Sequence, residues 1–233
     1  VHLGSYGRDL QPRSSLVDLL KRLAEESWRG RSLGRPEAQI LDDRSLRLRP
    51  DVLFRISSLE PMDCTSEIVD LVAAAGCFAP HFHLPLQHAS NRMLAAMRRP
   101  YTIEYYRALV DAIRTRIPDV SIGSDIIVGF PGETDGDFAE LASYLESSPL
   151  THLHVFPYSD RPGTAASVLP DRVHGAVVRD RARIVRDISH RLADAFRDSQ
   201  VGTVHRGLTL EDGSLVVTGN YLKVRIPPGR ARN

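Results

Sequence analysis

The apolar positions along the chain change their period several times, and each period predicts a different type of element. After Ser15 and again after Thr102, apolar residues recur three and four positions apart, which predicts amphipathic helices. Residues 81–87 and 121–130 instead alternate between an apolar face and a mixed face, which predicts strands. The full set of predicted helices is 15–26, 65–75, 102–117, 134–146 and 172–198, and the predicted strands are 53–60, 81–87, 121–130 and 152–159. Strands that alternate with helices of this length predict an α/β fold of parallel βαβ units.

The pattern changes near Gly202. Residues 205–210 and 214–226 are strand-like, and Asp212-Gly213 between them is typical of a hairpin turn. Basic side chains outnumber acidic ones in this tail, which suits a nucleic-acid surface, although a solvated hairpin would have the same composition. We predict a large domain over residues 1–200 and the start of a small all-β domain over residues 201–233. The polar stretch over residues 29–51 is predicted to be a surface loop.

Composition adds a few limits. A chain of 233 residues with 42% hydrophobic content can form one ordinary domain with a small appendage, and its net charge of +1 indicates no particular partner. Cys64 and Cys77 are too far apart for a close-spaced metal site, and we expect buried free thiols in a reducing compartment, with a disulfide as the alternative. No apolar run approaches the roughly 20 residues of a membrane span, so we expect a cytoplasmic protein.

The beginning of the sequence is also informative. The chain begins with Val1 rather than Met, and its first residues have the pattern of a strand end followed by a loop. It stops at Asn233 without a closing element. We therefore expect a carboxyl-terminal fragment of a larger enzyme.

Ligands of parallel α/β folds bind beyond the carboxyl ends of the strands. This rule selects residues 57–60, 87–90, 129–134 and 158–164 as a polar rim. In the Gly-Phe-Pro-Gly-Glu-Thr turn at residues 129–134, the glycines permit close approach of a ligand, and the following helix offers backbone N–H groups. The alternative is a tight turn that needs glycine for its geometry alone.

Two His-x-His pairs, His81/His83 and His152/His154, could each hold a metal ion, because alternate residues of a strand share a face. Both pairs lie at the amino ends of their strands, away from the edge where ligands bind. We expect histidines of the core or barrel lumen, satisfied by hydrogen bonds, and predict no metal site.

Five motifs then occur in order: His-Leu-Gly-Ser-Tyr-Gly (2–7), Ile-Ser-Ser-Leu-Glu-Pro (56–61), Leu-Pro-Leu-Gln (84–87), Asp-Ile-Ile-Val-Gly-Phe-Pro-Gly-Glu-Thr (125–134) and Phe-Pro-Tyr-Ser-Asp-Arg-Pro-Gly-Thr (156–164). Together they resemble the radical-SAM tRNA methylthiotransferases of the MiaB/MtaB type, over most of residues 1–200. The sequences at residues 80–83 and 154–159 are most similar to those of the MtaB group. The tail resembles the start of a TRAM domain, a small RNA-binding β-barrel.

The resemblance implies a partial (β/α) radical-SAM barrel, similar to a TIM barrel, followed by a truncated TRAM domain. It implies a fragment of an enzyme that adds a methylthio group at C2 of threonylcarbamoyl-adenosine beside the tRNA anticodon. The expected partners are tRNA and a sulfur donor, and the expected cofactors are S-adenosylmethionine and 4Fe–4S clusters. Cluster ligation needs closely grouped thiolates. Because neither Cys64 nor Cys77 lies where the family keeps its ligands, we expect those ligands outside this chain and the fragment alone to be inactive.

Resemblance and strand-end position together assign the cofactor-binding residues, and no catalytic residue is assigned. The candidates for S-adenosylmethionine contacts are Ser57, Glu60, Gln87, Ser90, Asp125, Gly129, Phe130 and Gly132. The family usually has Gln-Ser-Gly-Ser where this chain has Gln-His-Ala-Ser (87–90), a departure that affects the contacts of this turn. The loop at residues 161–164 and the basic tail are the candidates for tRNA contacts.

Two alternatives remain open. A metal-dependent barrel hydrolase would use the His-x-His pairs. A non-catalytic RNA-binding module would need no cluster and would bind tRNA in a salt-sensitive way.

Overall fold

The computed structural model describes residues 3–29, 53–210 and 213–227. By its internal contacts the chain divides into two compact units. The first comprises Val1–Phe82, Arg116–Val120 and Val204–Asn233, and the second comprises His83–Thr115 and Ser121–Thr203. The proposed boundary near residue 200 lies close to the point where the second unit ends, while the carboxyl-terminal strands group with the amino-terminal part of the chain.

The first unit contains helices α1 (Leu16–Arg29) and α2 (Ser66–Ala74). Each begins after a hydroxyl residue, because Ser15 Oγ accepts the N–H of Asp18, and Thr65 Oγ1 accepts the N–H of Ile68 at 3.4 Å. Each helix also buries an apolar stripe, and in α1 this is the face that the helical spacing predicted. Both predicted helices are confirmed, and the first continues for one turn beyond residue 26.

A small antiparallel sheet completes the first unit. Its strands are β4 (Gly207–Leu210), β5 (Leu215–Thr218) and β6 (Lys223–Arg225), in the order β4-β5-β6. The predicted strand over 214–226 is therefore two strands, joined by a turn whose fully buried Asn220 donates from Nδ2 to the carbonyl of Asp119 at 3.1 Å. Asp212 of the predicted hairpin turn lies outside the described residues, as do Arg230 and Arg232 of the basic tail.

One strand prediction in this unit was wrong. Residues 53–60 form no extended strand, and only Phe54 makes an isolated parallel bridge, to Phe78. Pro61 begins a 3-10 turn, Pro61–Asp63, and Leu59 is buried by packing rather than by a sheet ladder. An apolar run of this length does not distinguish a strand from a buried loop. Residues 30–52, which hold nearly all of the predicted surface loop, lie outside the described residues.

The second unit is built on parallel strands. Strand β1 (His81–His83) leads into it, and β2 (Ser121–Val128) and β3 (His152–Pro157) follow, in the order β1-β2-β3. The predicted strand over 81–87 is much shorter than expected, because the backbone pairing with β2 is interrupted after Leu84, where the N–H of Leu86 donates to the side-chain Oγ of Ser124 at 3.0 Å. Pairing resumes at Gln87, whose N–H donates to the carbonyl of Asp125 at 2.8 Å and whose carbonyl accepts the N–H of Ile127 at 2.9 Å.

Helices cover the apolar face of this sheet. They are α3 (Asn91–Ala96), α4 (Ile103–Arg116), α5 (Asp135–Ser147) and α6 (Gly175–Ser199). Tyr106 of α4 is completely buried and donates its hydroxyl to the carbonyl of Leu84 at 2.8 Å. The parallel βαβ arrangement predicted from the sequence is therefore confirmed, together with a small antiparallel sheet near the carboxyl end. Within the described residues, no helix is long and apolar enough to cross a membrane.

Candidate functional site

Gln87 is the polar residue at which pairing with β2 resumes after β1. Its side chain is buried and makes no hydrogen bond within the described part of the chain, and its backbone has φ 73°, a left-handed conformation. For a residue other than glycine this conformation costs on the order of 1–3 kcal/mol, and such outliers concentrate at ligand sites. Since the Gln87 backbone is held on both sides by β2, its amide is positioned to bind a polar ligand.

The turn after β2 contains a buried ion pair. Glu133 accepts the N–H of Gly129 at 2.7 Å on Oε2 and a guanidinium N–H of Arg181 at 2.7 Å on Oε1. Burial raises the pKa of Glu133, and the hydrogen bond from Gly129 and the charge of Arg181 oppose that rise. The Nε2 atom of His88 lies 3.7 Å from Glu133 Oε2 and makes no hydrogen bond within the described residues. The backbone N–H of Gly129 is therefore committed to holding this turn.

The two turn glycines differ in what surrounds them. Gly129 has φ 78°, and a Cβ there would lie 2.5 Å from Val178 Cγ2, so α6 packs directly against the turn. Gly132 has φ 81° and nothing within 4 Å of a Cβ position. Gly129 is therefore required by packing and geometry, whereas Gly132 faces open space that a ligand could occupy.

A cavity of about 230 Å³ lies beside this turn. Its lining includes Gly129, Pro131, Tyr158, Asp160 and Arg172. Phe130 is buried close by and meets the ring of Tyr158 edge to face, with the ring centroids 5.3 Å apart. The cavity combines backbone, aromatic and charged groups, as small-molecule sites do.

Ser90 serves a different purpose. Its buried hydroxyl donates to Asp137 Oδ1 at 2.7 Å, and Asp137 also pairs with Arg92 and accepts from Thr134. Burial alone would raise the pKa of Asp137, yet the hydrogen bonds from Arg92, Thr134 and Ser90 hold it well below its ordinary value. Thr134 and Asp137 form a capping box at the start of α5. In this geometry Ser90 fixes the helix that follows the glycine turn.

Three histidines and one carboxylate meet on the mixed face of the sheet. Asp125 Oδ1 lies 3.1 Å from His83 Nε2, and the rings of His152 and His154 lie beside His83. Burial, with the neighbouring imidazoles of His154 and His83, lowers the pKa of His152 to about 4, so His152 is neutral near pH 7. The sequence had separated these histidines into two pairs, but the sheet joins one member of the first pair to both members of the second.

The remaining member of the two His-x-His pairs, His81, and two of the candidate site residues lie in the first unit. His81 is buried and packs against Tyr221, with ring centroids 5.0 Å apart. Ser57 is exposed and Glu60 is half-buried at the start of the 3-10 turn. The other six candidates, Gln87, Ser90, Asp125, Gly129, Phe130 and Gly132, belong to the second unit.

The cysteines of this chain do not fit an iron–sulfur cluster. Cys64 and Cys77 are both buried and form no disulfide, as expected, and burial raises the pKa of the Cys64 thiol to about 12, which keeps it protonated. Cluster binding uses closely grouped thiolates. Two thiols in the whole chain are too few to provide them.

Sequence reasoning missed the Glu133–Arg181 pair and the joined histidine cluster. Arg181 lies 48 residues from Glu133 in the sequence, and an arginine in a helix of this kind is normally exposed. The only signal in the sequence was the departure from the family's Gln-Ser-Gly-Ser at residues 87–90, where His88 occupies a fully buried position. Contacts of this kind depend on which helix packs over the turn.

Comparison with known proteins shows which family this chain is related to. The model of the radical SAM superfamily matches residues 13–145, which is more than half of the chain. The chain is 38% identical to threonylcarbamoyladenosine tRNA methylthiotransferase MtaB of Aquifex aeolicus, over 74% of this chain and 42% of that protein. It is 29% identical to the protein of the same name from Bacillus subtilis, over 96% of this chain and 47% of that protein. It is 38% identical to the tRNA-2-methylthio-N(6)-dimethylallyladenosine synthase of Clavibacter michiganensis, over 64% of this chain and 28% of that protein.

Among solved structures, coproporphyrinogen III oxidase of Escherichia coli, described as a radical SAM enzyme, has a similar fold. The TM-score is 0.53 at 18% identity, over 74% of this chain and 37% of that chain. The chain spans less than half the length of these relatives. The resemblance expected from the five motifs is confirmed, and the cofactors of this enzyme family are S-adenosylmethionine and a 4Fe–4S cluster. On the family match and the parallel α/β architecture, the chain belongs to the radical SAM superfamily.

Proposed function

We propose that this chain is the cofactor-binding part of a tRNA methylthiotransferase that modifies C2 of threonylcarbamoyl-adenosine beside the anticodon. The observation that carries the proposal is the 38% identity to an enzyme named for that nucleoside, together with a polar, strained strand end at Gln87. The relatives that act on dimethylallyl-adenosine are a second candidate, because one of them reaches the same identity over a shorter part of the chain. Partners would be tRNA and a sulfur donor, and the reaction would take place in the cytoplasm.

The proposed S-adenosylmethionine site consists of the eight residues selected from the sequence. Gln87 and Asp125 would bind through side chains, and Gly129, Phe130 and Gly132 would form the wall of the turn. Ser90 would act through Asp137 and α5. Ser57 and Glu60 remain proposed as polar contacts of the cofactor on the resemblance alone. In the intact enzyme, S-adenosylmethionine and a cluster held by ligands outside this chain would supply the radical chemistry, and the residues of this chain would bind and orient the nucleoside.

The binding role of Gln87 can be tested by the substitution Gln87→Asn. Asparagine tolerates a left-handed backbone, but its amide is withdrawn by one methylene. Loss of a single hydrogen bond predicts a Kd for S-adenosylmethionine that is roughly 3–10 times higher by isothermal titration calorimetry. Gln200→Asn, the same change at the end of α6, is the matched control. Equal affinity of Gln87→Asn and the unsubstituted chain would contradict the assignment.

The substrate can be tested with the full gene that contains this sequence. Expression in a host that lacks methylthiolated threonylcarbamoyl-adenosine is expected to restore that nucleoside in digested tRNA, as measured by mass spectrometry. Appearance of the dimethylallyl derivative instead would favour the second candidate. An unchanged tRNA profile would contradict both.

We further propose that this chain by itself does not cleave S-adenosylmethionine, because its two buried cysteines cannot hold a cluster. After incubation with iron, sulfide and a reductant, no 5′-deoxyadenosine is expected by liquid chromatography. Detection of this product above the level of a Cys64→Ser, Cys77→Ser variant would prove the proposal wrong.

The carboxyl-terminal sheet is proposed as the start of a TRAM domain over residues 201–233, after a barrel part over residues 1–200. All three residues of β6 are exposed, and two of them, Lys223 and Arg225, are basic. Salt-sensitive binding of tRNA that weakens in a Lys223→Gln, Arg225→Gln variant would support an RNA-facing role. Binding that is unchanged by this substitution would exclude it.

A further inference from the structure

The histidine cluster of the second unit brings together residues from non-adjacent strands. His83 ends β1, whereas His152 and His154 belong to β3, with β2 between them. Neighbouring strands are about 4.8 Å apart, so side chains two strands apart normally begin roughly 10 Å from each other. The rings of His83 and His154 nevertheless have centroids only 5.4 Å apart, and those of His83 and His152 are 6.4 Å apart.

Gly123 of β2 makes this approach possible. It is the register partner of His152, and a Cβ at this position would lie 2.2 Å from His152 Nε2. The imidazole therefore lies directly over the backbone of β2, in space that any other residue would fill. Asp125, the next residue on this face of β2, is the register partner of His154.

The nitrogens are oriented by neighbouring oxygen atoms. Asp125 Oδ1 lies 3.1 Å from His83 Nε2, and Thr151 Oγ1 lies 3.1 Å from His152 Nδ1. A carboxylate or hydroxyl on one ring nitrogen fixes the tautomer and directs the other nitrogen toward a metal, as in the carboxylate–histidine–zinc arrangement. Three histidines with an open fourth position are a common zinc set.

We propose that His83, His152 and His154 bind one divalent transition-metal ion of the Zn²⁺ class, with Asp125 supporting His83. This inference does not depend on the proposed methylthiotransferase activity, and its ligands are imidazoles rather than the thiolates of an iron–sulfur cluster.

The distances fit after a small adjustment of side chains. One ligand nitrogen from each histidine lies within 4.8 Å of the other two. With Zn–N bonds of about 2.0–2.1 Å, tetrahedral coordination places nitrogens about 3.4 Å apart. The rings must therefore close by at most roughly 1.4 Å, which rotation about their side-chain torsions can supply. His154 is exposed and can move without disturbing the core.

The test is a titration of the untagged 233-residue chain with Zn²⁺ by calorimetry and with Co²⁺ by visible absorption. One ion per chain is expected, with cobalt bands typical of nitrogen ligands in low coordination. His154→Ala is expected to weaken binding by more than about 100-fold. Asp125→Asn is expected to weaken it by roughly 10–100-fold, because it removes only the support of a ligand. His174→Asn is the control, since asparagine also caps α6 and His174 lies outside the cluster.

A second pair of variants tests the site without removing a ligand. Gly123→Ala places a methyl group against the His152 ring and is expected to lose tight binding. Gly136→Ala is its control, because a methyl group there meets only Thr134 Oγ1, at 3.7 Å. Circular dichroism checks that each variant is folded. The proposal is overturned if the unsubstituted chain does not bind the ions, or if a folded His154→Ala chain binds as tightly as the unsubstituted one.

Discussion

Replacing Arg181 with methionine would leave the carboxylate of Glu133 buried without its cation. The Glu133 side chain is 0% exposed and that of Arg181 is 6% exposed, so solvent screens this pair very little. Removal of one partner from a buried pair typically costs 3–5 kcal/mol, because the other charge remains desolvated. Glu133 keeps the hydrogen bond from Gly129, so we expect a loss near the lower end, about 3 kcal/mol.

The assay is urea unfolding followed by circular dichroism, with the free energy of unfolding obtained by linear extrapolation. Arg183→Met on the same helix is the control, since Arg183 pairs with Asp187 on the exposed surface at 3.3 Å. Such pairs contribute about 0.3–0.5 kcal/mol. The double variant Arg181→Met, Glu133→Gln should lose less than the sum of the two single variants, because it buries no unpaired charge. A loss in Arg181→Met no larger than in Arg183→Met would refute the reasoning.

Three further predictions follow from buried groups of the two units. Burial lowers the pKa of His88 from 6.5 to about 4, so its contribution to stability is present above pH 6.5 and is lost as the pH falls toward 4. His88→Asn should therefore reduce the slope of the free energy of unfolding against pH between 6.5 and 4 without abolishing it, because His152 has the same shift, and an unchanged slope would show that His88 does not contribute to it. Gly129→Ala places a methyl group 2.5 Å from Val178 Cγ2 at a left-handed position and should lower stability by about 1–3 kcal/mol in thermal unfolding, with partial rescue by Val178→Ala. Burial raises the pKa of Cys64 to about 12, so Cys64 should react with a thiol reagent only after denaturation, and rapid labelling of the folded chain would contradict its burial.

The sequence by itself determined the longer helices and the order of the strands in the second unit, while the short helix α3 (Asn91–Ala96) was not predicted. Thr65 and Thr134 cap helices through bonds to residues three positions away, and these contacts depend only on local geometry. Alternation along β2 likewise fixed which residues face the helices. The polar strand-end residues could be selected because parallel strands all present their carboxyl ends at the same edge.

Only the tertiary structure decided the rest. Residues 53–60 have strand-like composition, but a strand forms only where a neighbouring strand can pair with it, and here a single bridge at Phe54 is made. The Arg181–Glu133 pair and the meeting of His83 with His152 and His154 depend on packing between distant segments. A glycine at position 123 reads as a weak strand residue in the sequence. In the folded chain, the absence of a side chain at Gly123 leaves the space that the His152 ring occupies beside His83. The sequence does not show this, because the need for glycine arises only from the neighbouring strands.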